Sequence, residues 1–230
     1  TAGAAQSNHC RQTAAAAAQL GLDCHLVLGG EAPELAQGNL LLDRLFNAEI
    51  HWAGENRKGE DIPQITDRLK SAGKKLKVIP YGGSDRIGAR GFVDGFIELT
   101  NQVDIRGFSS IVFASSSGGT HAGLEVGKHI TGADIELQGI NIDKDEDPNR
   151  SFRDVIVKLC SEVAQDFQLD IKYTDENIAL ADDYIGDGYG VVGEQEREAL
   201  SLLAELEGII LDPVYTGRAM AGLIDMIRKG

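Results

Sequence analysis

Apolar positions along the chain fall into short runs and helical stripes that take turns. Leu26-Val27-Leu28, Glu49–Trp52, Leu76–Ile79 and Ile111–Ala114 read as strands, and Ile135–Ile142 alternates in and out. Between and after them, Asn8–Leu20, Glu34–Phe46, Asp61–Ala72, Gly88–Asn101, Thr120–Ile130, Arg150–Phe167, Glu194–Glu207 and Thr216–Arg228 carry helical spacing. Gly21 suits the end of the first helix, and Pro63 the first turn of the third. The run Ala14–Ala18 makes a thin helix that can lie close to a sheet. Asp182–Gly193, rich in Gly and Asp, reads as a loop, and the basic segment near Lys58 is the nearest thing to a surface linker. Strands alternating with helices call for right-handed crossovers, so the pattern predicts an α/β protein with a mainly parallel sheet.

Such sheets bind ligands at the C-terminal ends of their strands. Four polar clusters fall there: Gln6-Ser7-Asn8-His9, Tyr81-Gly82-Gly83-Ser84, Ser115–Thr120 and Asp212–Gly217. All four are candidates to converge on one crevice. The third is the most telling: Ile111-Val112-Phe113 feeds Ala114-Ser115-Ser116-Ser117-Gly118-Gly119, and a helix follows. Loop amides and the first amides of that helix point at one spot, the arrangement that holds a phosphate. The helix dipole contributes only about 0.3–2 kcal/mol, so convergent N–H bonds must do most of the holding. The loop has no Lys and is not the loop that grips a transferable triphosphate; a phosphate held here is a handle on a cofactor. Plainer readings stand beside these. Ser7 and Asn8 suit a helix cap, Tyr81 a packed aromatic, Asp212-Pro213 a turn and Tyr215 a structural hydrogen bond. His9 and His121 read as polar surface residues, and their separation carries no metal signature.

Charge narrows the partners. A net charge of −14 and a pI near 4.7 argue against nucleic acid and anionic membrane surfaces, and no apolar run is long enough to span a bilayer. Cys10, Cys24 and Cys160 are an odd number without C-x-x-C spacing, which fits a reduced, cytoplasmic protein rather than disulfides or zinc. The acidic run Asp143–Asp147 reads as a solvated loop. Thr1-Ala2-Gly3 reads as the end of a strand entering a loop, so the chain is expected to be a piece of a longer protein.

Taken together, TAGAAQSNHCRQTAAAAAQL (residues 1–20), PYGGSDRIGARG (80–91), ASSSGGTHAG (114–123) and LDPVYTGRAM (211–220) resemble the fold-type II pyridoxal phosphate enzymes. The likeness is to the D-cysteine desulfhydrase / 1-aminocyclopropane-1-carboxylate deaminase family and runs along essentially the whole chain. It implies a tryptophan synthase β-like fold, two open, mainly parallel α/β sheets with the cofactor cleft between them, here truncated. Residues 1–86 would be a small domain, and 87–230 an incomplete cofactor-binding domain.

The resemblance also implies roles. Ser116, Ser117, Gly118, Gly119 and Thr120 would bind the phosphate of pyridoxal 5'-phosphate, and Asn8 would sit against its ring. Ser7 would bind the substrate carboxylate and take part in proton transfer. Asn8, His9 and Tyr81 would also line the substrate, and Tyr215 would be the second proton-transfer residue. At position 216 the deaminase branch typically carries Glu and the desulfhydrase branch Thr. Thr216, near the ring nitrogen, thus favours β-elimination from D-cysteine to pyruvate, ammonia and hydrogen sulfide, in a cytoplasmic homodimer that uses no metal. Alternatives in the same class are 1-aminocyclopropane-1-carboxylate deamination and elimination from L-cysteate. No Lys in this chain matches the family's Schiff-base position, which lies upstream. A non-catalytic fragment or phosphate-ligand module is therefore the competing reading, and a nucleotide- or sugar-phosphate-binding protein rests on the glycine loop alone.

Overall fold

The computed structural model describes residues 1–143 and 151–230. They form two compact units, Thr1–Ser84 and Asp85–Gly230. Of the acidic run Asp143–Asp147 only Asp143 lies within the described residues, and Arg150 lies outside them.

In the first unit β1 (Ala2–Ala4), β2 (His25–Gly29) and β3 (Glu49–Trp52) form a parallel sheet in that order. It is accompanied by α1 (Asn8–Gln19), α2 (Gly38–Leu45) and α3 (Ile62–Ser71). Leu26, Val27 and Leu28 are all buried, which explains their unbroken apolar run in a central parallel strand. Leu26 and Leu28 share a core with Cys10, Ala14 and Leu40. Gly3 lets α1 fold back tightly over β1, because a Cβ there would stand 2.7 Å from the Cβ of Ser7.

Two expectations are corrected in this unit. The helix expected over Glu34–Phe46 is confined to Gly38–Leu45. Its start is set by Gln6, whose side chain accepts the Asn39 N–H at 2.9 Å. The segment Leu76–Ile79 is not a strand. It lines a cavity of about 640 Å³ together with Thr1, Val27, Ile62 and Leu69, and the ladders of β1, β2 and β3 do not include it.

In the second unit β4 (Ser110–Ser115), β5 (Glu136–Asn141) and β6 (Leu180–Ala181) form another parallel sheet in that order. The two-residue β6 is too short to leave a periodic trace in sequence. The helices are α4 (Arg86–Gln102), α5 (Gly119–Thr131), α6 (Phe152–Asp166), α7 (Glu194–Glu207) and α8 (Thr216–Lys229). α4 begins earlier than its apolar stripe because the Asp85 carboxylate accepts the N–H groups of Ile87 and Gly88. The main core joins Ala89 and Val93 of α4, Ala122 and Val126 of α5, and Ile156, Leu159 and Val163 of α6. Among the described residues no helix is long and apolar enough to cross a membrane.

α4 and α5 pack unusually closely. A Cβ on Gly123 would lie 2.3 Å from the Ala89 carbonyl oxygen, and one on Gly127 would lie 2.7 Å from the Phe96 Cβ. The Ala89 carbonyl belongs to a helix backbone and cannot step aside. Gly123→Ala is therefore expected to destabilise the protein by about 1–3 kcal/mol despite its better helix propensity. Urea unfolding should show a lower midpoint, and an unchanged midpoint would mean that the helices can part freely.

Candidate active site

The turn from β1 into α1 carries the first group of candidates. Ser7 caps α1, its Oγ accepting the Cys10 N–H at 3.2 Å. Asn8 Oδ1 accepts from Asn39 Nδ2 at 2.8 Å, and Asn39 also donates to the Gln6 carbonyl. His9 is half-buried rather than on the surface, with Nε2 2.9 Å from Thr1 Oγ1. Burial pushes His9 down to about 4, so it is a neutral imidazole at physiological pH. Tyr81 opens a 3₁₀ turn through Gly83. The Tyr81 hydroxyl lies 3.5 Å from Arg57 Nη1, and a Cβ on Gly83 would touch the His9 ring at 3.0 Å. Ser7, Asn8, His9 and Tyr81 are thus held at one end of the first unit. Asn39, which fixes Asn8, was not visible in the sequence, because the bond spans 31 residues and follows no motif.

The second group lies at the C-terminal edge of the second sheet. β4 ends at Ser115, Ser116 and Ser117 form the turn, and Gly118 at φ 91° caps α5 in the left-handed region, where a side chain would be strained. Gly118 and Gly119 are buried, while Ser116, Ser117 and Thr120 are partly open. The first-turn amides of α5 have no carbonyl behind them within the helix and face out of its N-terminal end. Every donor in this set is neutral, the chemistry of a phosphate seat.

Tyr215 and Thr216 stand at the start of α8. The Asp212 carboxylate accepts the N–H groups of Val214, Tyr215 and Thr216, and takes a 2.7 Å bond from the Thr216 hydroxyl. Asp212-Pro213 is thus a turn that also caps a helix. The Tyr215 hydroxyl lies 2.6 Å from that of Tyr189, and the rings meet edge-on.

One turn further along α8, Arg218 is 1% exposed. Its guanidinium donates to Glu196 Oε1 at 2.8 Å and to the carbonyls of Ile142, Gly188 and Val191. It therefore ties the end of β5, the loop that carries Tyr189, and α7 to the start of α8. Burial alone would raise the Glu196 carboxyl, but the bond and charge of Arg218 outweigh it and hold the carboxyl below its usual range. In sequence Arg218 is an unremarkable helical arginine.

His121 is a correction: it is wholly buried, not a surface residue. A Cβ on Gly139 of β5 would stand 2.7 Å from its ring, so the missing side chain there makes its place. Its Nδ1 lies 3.3 Å from Ser115 Oγ, its ring meets Phe113 edge-on, and its Nε2 is unpaired. Glu125 Oε1 lies 4.0 Å from that nitrogen. The two do not form an ion pair. Burial, helped by the charge of Arg153, lowers His121 to about 4, and burial raises Glu125 to about 7 against the pull of Lys128. Both are neutral in mildly acidic solution.

Comparison with known proteins settles what kind of chain this is. The family model described as pyridoxal-phosphate dependent enzyme matches residues 1–230. The chain belongs to that family. It is 43% identical over 239 residues to a D-cysteine desulfhydrase of Klebsiella pneumoniae (strain 342), covering 100% of this chain and 70% of the relative. A D-cysteine desulfhydrase of Salmonella choleraesuis (strain SC-B67) is also 43% identical, over 236 residues, with the same coverage. Among solved structures, an ACC deaminase homologue superimposes with a TM-score of 0.89 at 36% identity, over 99% of this chain and 68% of that one. Serine racemase from Dictyostelium discoideum, at TM-score 0.60 and 16% identity over 97% of this chain and 69% of that one, shares the fold. The likeness read from the four sequence pieces and the fold-type II architecture are both borne out.

The buried His121–Glu125 pair generates a pH prediction. Glu125 binds a proton more tightly folded than unfolded, so its contribution to stability is full below pH 4.5 and is lost as pH rises through about 7. His121 acts in the other direction, losing stability as pH falls from 6.5 towards about 4. Glu125→Gln is expected to remove the first dependence. Relative to the parent, the variant should gain roughly 1–3 kcal/mol between pH 5 and pH 8. Urea midpoints of both proteins measured across that range check it, and parallel pH profiles would contradict it.

Proposed function

We propose that this chain forms the phosphate-binding and substrate-binding parts of a lyase that converts D-cysteine and water to pyruvate, ammonia and hydrogen sulfide. The observation that carries this reading is the strand–Ser/Gly turn–helix seat after β4 in a chain 43% identical to D-cysteine desulfhydrases. The seat fits pyridoxal phosphate: the Ser116, Ser117 and Thr120 hydroxyls and the amides at Gly118 and Gly119 would hold its ester phosphate. Bound there, pyridoxal phosphate supplies an electron sink for the pair left when the substrate loses its α-proton.

This chain's own residues carry the roles that follow. Asn8, oriented by Asn39, would contact the cofactor ring. Ser7 and the first amides of α1 bind the substrate carboxylate, which suits an acidic protein because the donors are local and neutral. His9 and Tyr81 line the substrate, His9 as an uncharged ring. Tyr215, whose hydroxyl is hydrogen-bonded to that of Tyr189, moves a proton during elimination. Thr216, fixed by its bond to Asp212, would offer the ring nitrogen a hydroxyl rather than a carboxylate.

None of the lysines among the described residues takes part in attaching the cofactor. Of the nine described, seven are exposed, and Lys58 and Lys128 are half-buried. The same reading makes the whole protein a cytoplasmic homodimer. The three cysteines of this chain are free and buried, as suits a reducing compartment.

The test is a substrate panel on the full gene product that contains these residues, saturated with pyridoxal phosphate. D-cysteine should give sulfide and pyruvate in equal amounts. Faster formation of 2-oxobutyrate from 1-aminocyclopropane-1-carboxylate would reverse the assignment. Tyr215→Phe should lower kcat by about 10²–10⁴, and sulfide release at the parent rate would remove Tyr215 from the mechanism.

A further inference from the structure

A second site lies at the other end of the first sheet. His25 and Glu49 are the first residues of β2 and β3 and are direct partners in the parallel register, with His51 two positions further along β3. Register partners, and residues two apart on a strand, share a face. All three side chains therefore stand together, while Leu26, Leu28, Ile50 and Trp52 of the same strands turn to the core on the opposite face. Among the described residues this is the one cluster of three side chains able to ligate a metal together.

Its dimensions are those of a coordination face. His25 Nδ1 lies 3.1 Å from His51 Nε2 and 3.5 Å from Glu49 Oε2, and His51 Nε2 lies 3.4 Å from Glu49 Oε1. Ligands at about 2.0–2.1 Å in a tetrahedron stand about 3.3–3.4 Å apart by simple geometry. Two strands fix the backbones, so the triangle does not depend on long flexible side chains. The His25 and His51 side chains are largely sheltered, whereas Glu49 is 60% exposed, which leaves the fourth direction towards solvent.

We infer that His25, Glu49 and His51 form a site for a divalent transition cation of the zinc class, with a fourth position open to water. Two imidazoles and one carboxylate suit zinc, cobalt or nickel rather than magnesium or calcium. The site stands at the N-terminal ends of β2 and β3, whereas Ser7, Asn8 and His9 follow the C-terminal end of β1. Its role is to clamp the short edge strand β3 to β2, not to take part in elimination.

Arg68 of α3 sets the condition for loading. Its Nη2 lies 3.2 Å from His51 Nδ1 and 4.0 Å from Glu49 Oε1. An arginine only donates, so Nδ1 accepts, and a neutral His51 carries its proton on Nε2, directed at His25 Nδ1. That is a self-consistent metal-free arrangement. To bind a cation, the proton must move to Nδ1, freeing the Nε2 lone pair, and no proton is lost. Arg68 must then swing away, which its 60% exposure allows. Arg68 is thus a gatekeeper whose removal should tighten the site.

Titration of the metal-free protein with Co²⁺, followed by visible d–d absorption, tests this independently of any cofactor or substrate. One Co²⁺ per chain is expected, with the intense bands of four-coordinate cobalt, displaced by Zn²⁺. His25→Gln and His51→Gln should each weaken binding beyond the roughly 10–100-fold typical of an outer-shell partner. Arg68→Gln, an exposed change that leaves the fold intact, should tighten it. Circular dichroism without metal establishes that the histidine variants fold. The absence of saturable binding, binding indifferent to both histidine variants, or weaker binding by Arg68→Gln would each overturn the site.

Discussion

Arg218 carries a full positive charge where almost no water reaches it, and the second unit is arranged around satisfying that charge. Desolvating an ion costs several kcal/mol unless partners are supplied. Here Glu196 and three backbone carbonyls supply them. Because those partners come from three separate stretches of chain, their positions are no longer independent. The loop bearing Tyr189, the helix bearing Glu196 and the turn bearing Tyr215 and Thr216 hold together or fail together. A hydrophobic residue at 218 would bind its neighbours without direction, whereas the planar fork of an arginine dictates where each oxygen must be.

The turn after β4, the proposed phosphate seat, likewise depends on small residues. Gly139 leaves room for His121, which supports Ser115 from below, and Gly123 and Gly127 draw α4 against α5. The seat is aimed by the parallel register of β4 on β5, which runs unbroken from Ser110–Glu136 to Ser115–Asn141. A loop that binds through backbone amides needs only that its two ends be held. One end is a strand and the other a packed helix.

Much of this was legible in the sequence because it depends on periodicity and on local chemistry. The parallel α/β character, the strand–turn–helix at Ser115–Thr120, and α7 at Glu194–Glu207 all follow from patterns within a dozen residues. What escaped depends on distance along the chain. Leu76–Ile79 has a strand's composition but no ladder partner, and composition does not report the neighbour. His121 looks polar, and only Gly139 on another strand decides that it is buried. Arg218, Asn39 and the His25–Glu49–His51 cluster owe their significance to residues 22 to 76 positions away or to register across two strands. A linear reading gives no weight to such pairs.

The three cysteines of this chain have a chemical consequence of their own. Burial lifts the Cys10 thiol to about 11 and raises Cys24 and Cys160 as well. Only the deprotonated form attacks disulfides or electrophilic sulfur at a useful rate. With all three kept protonated inside the two cores, the thiols of this chain are poor nucleophiles for thiol–disulfide exchange.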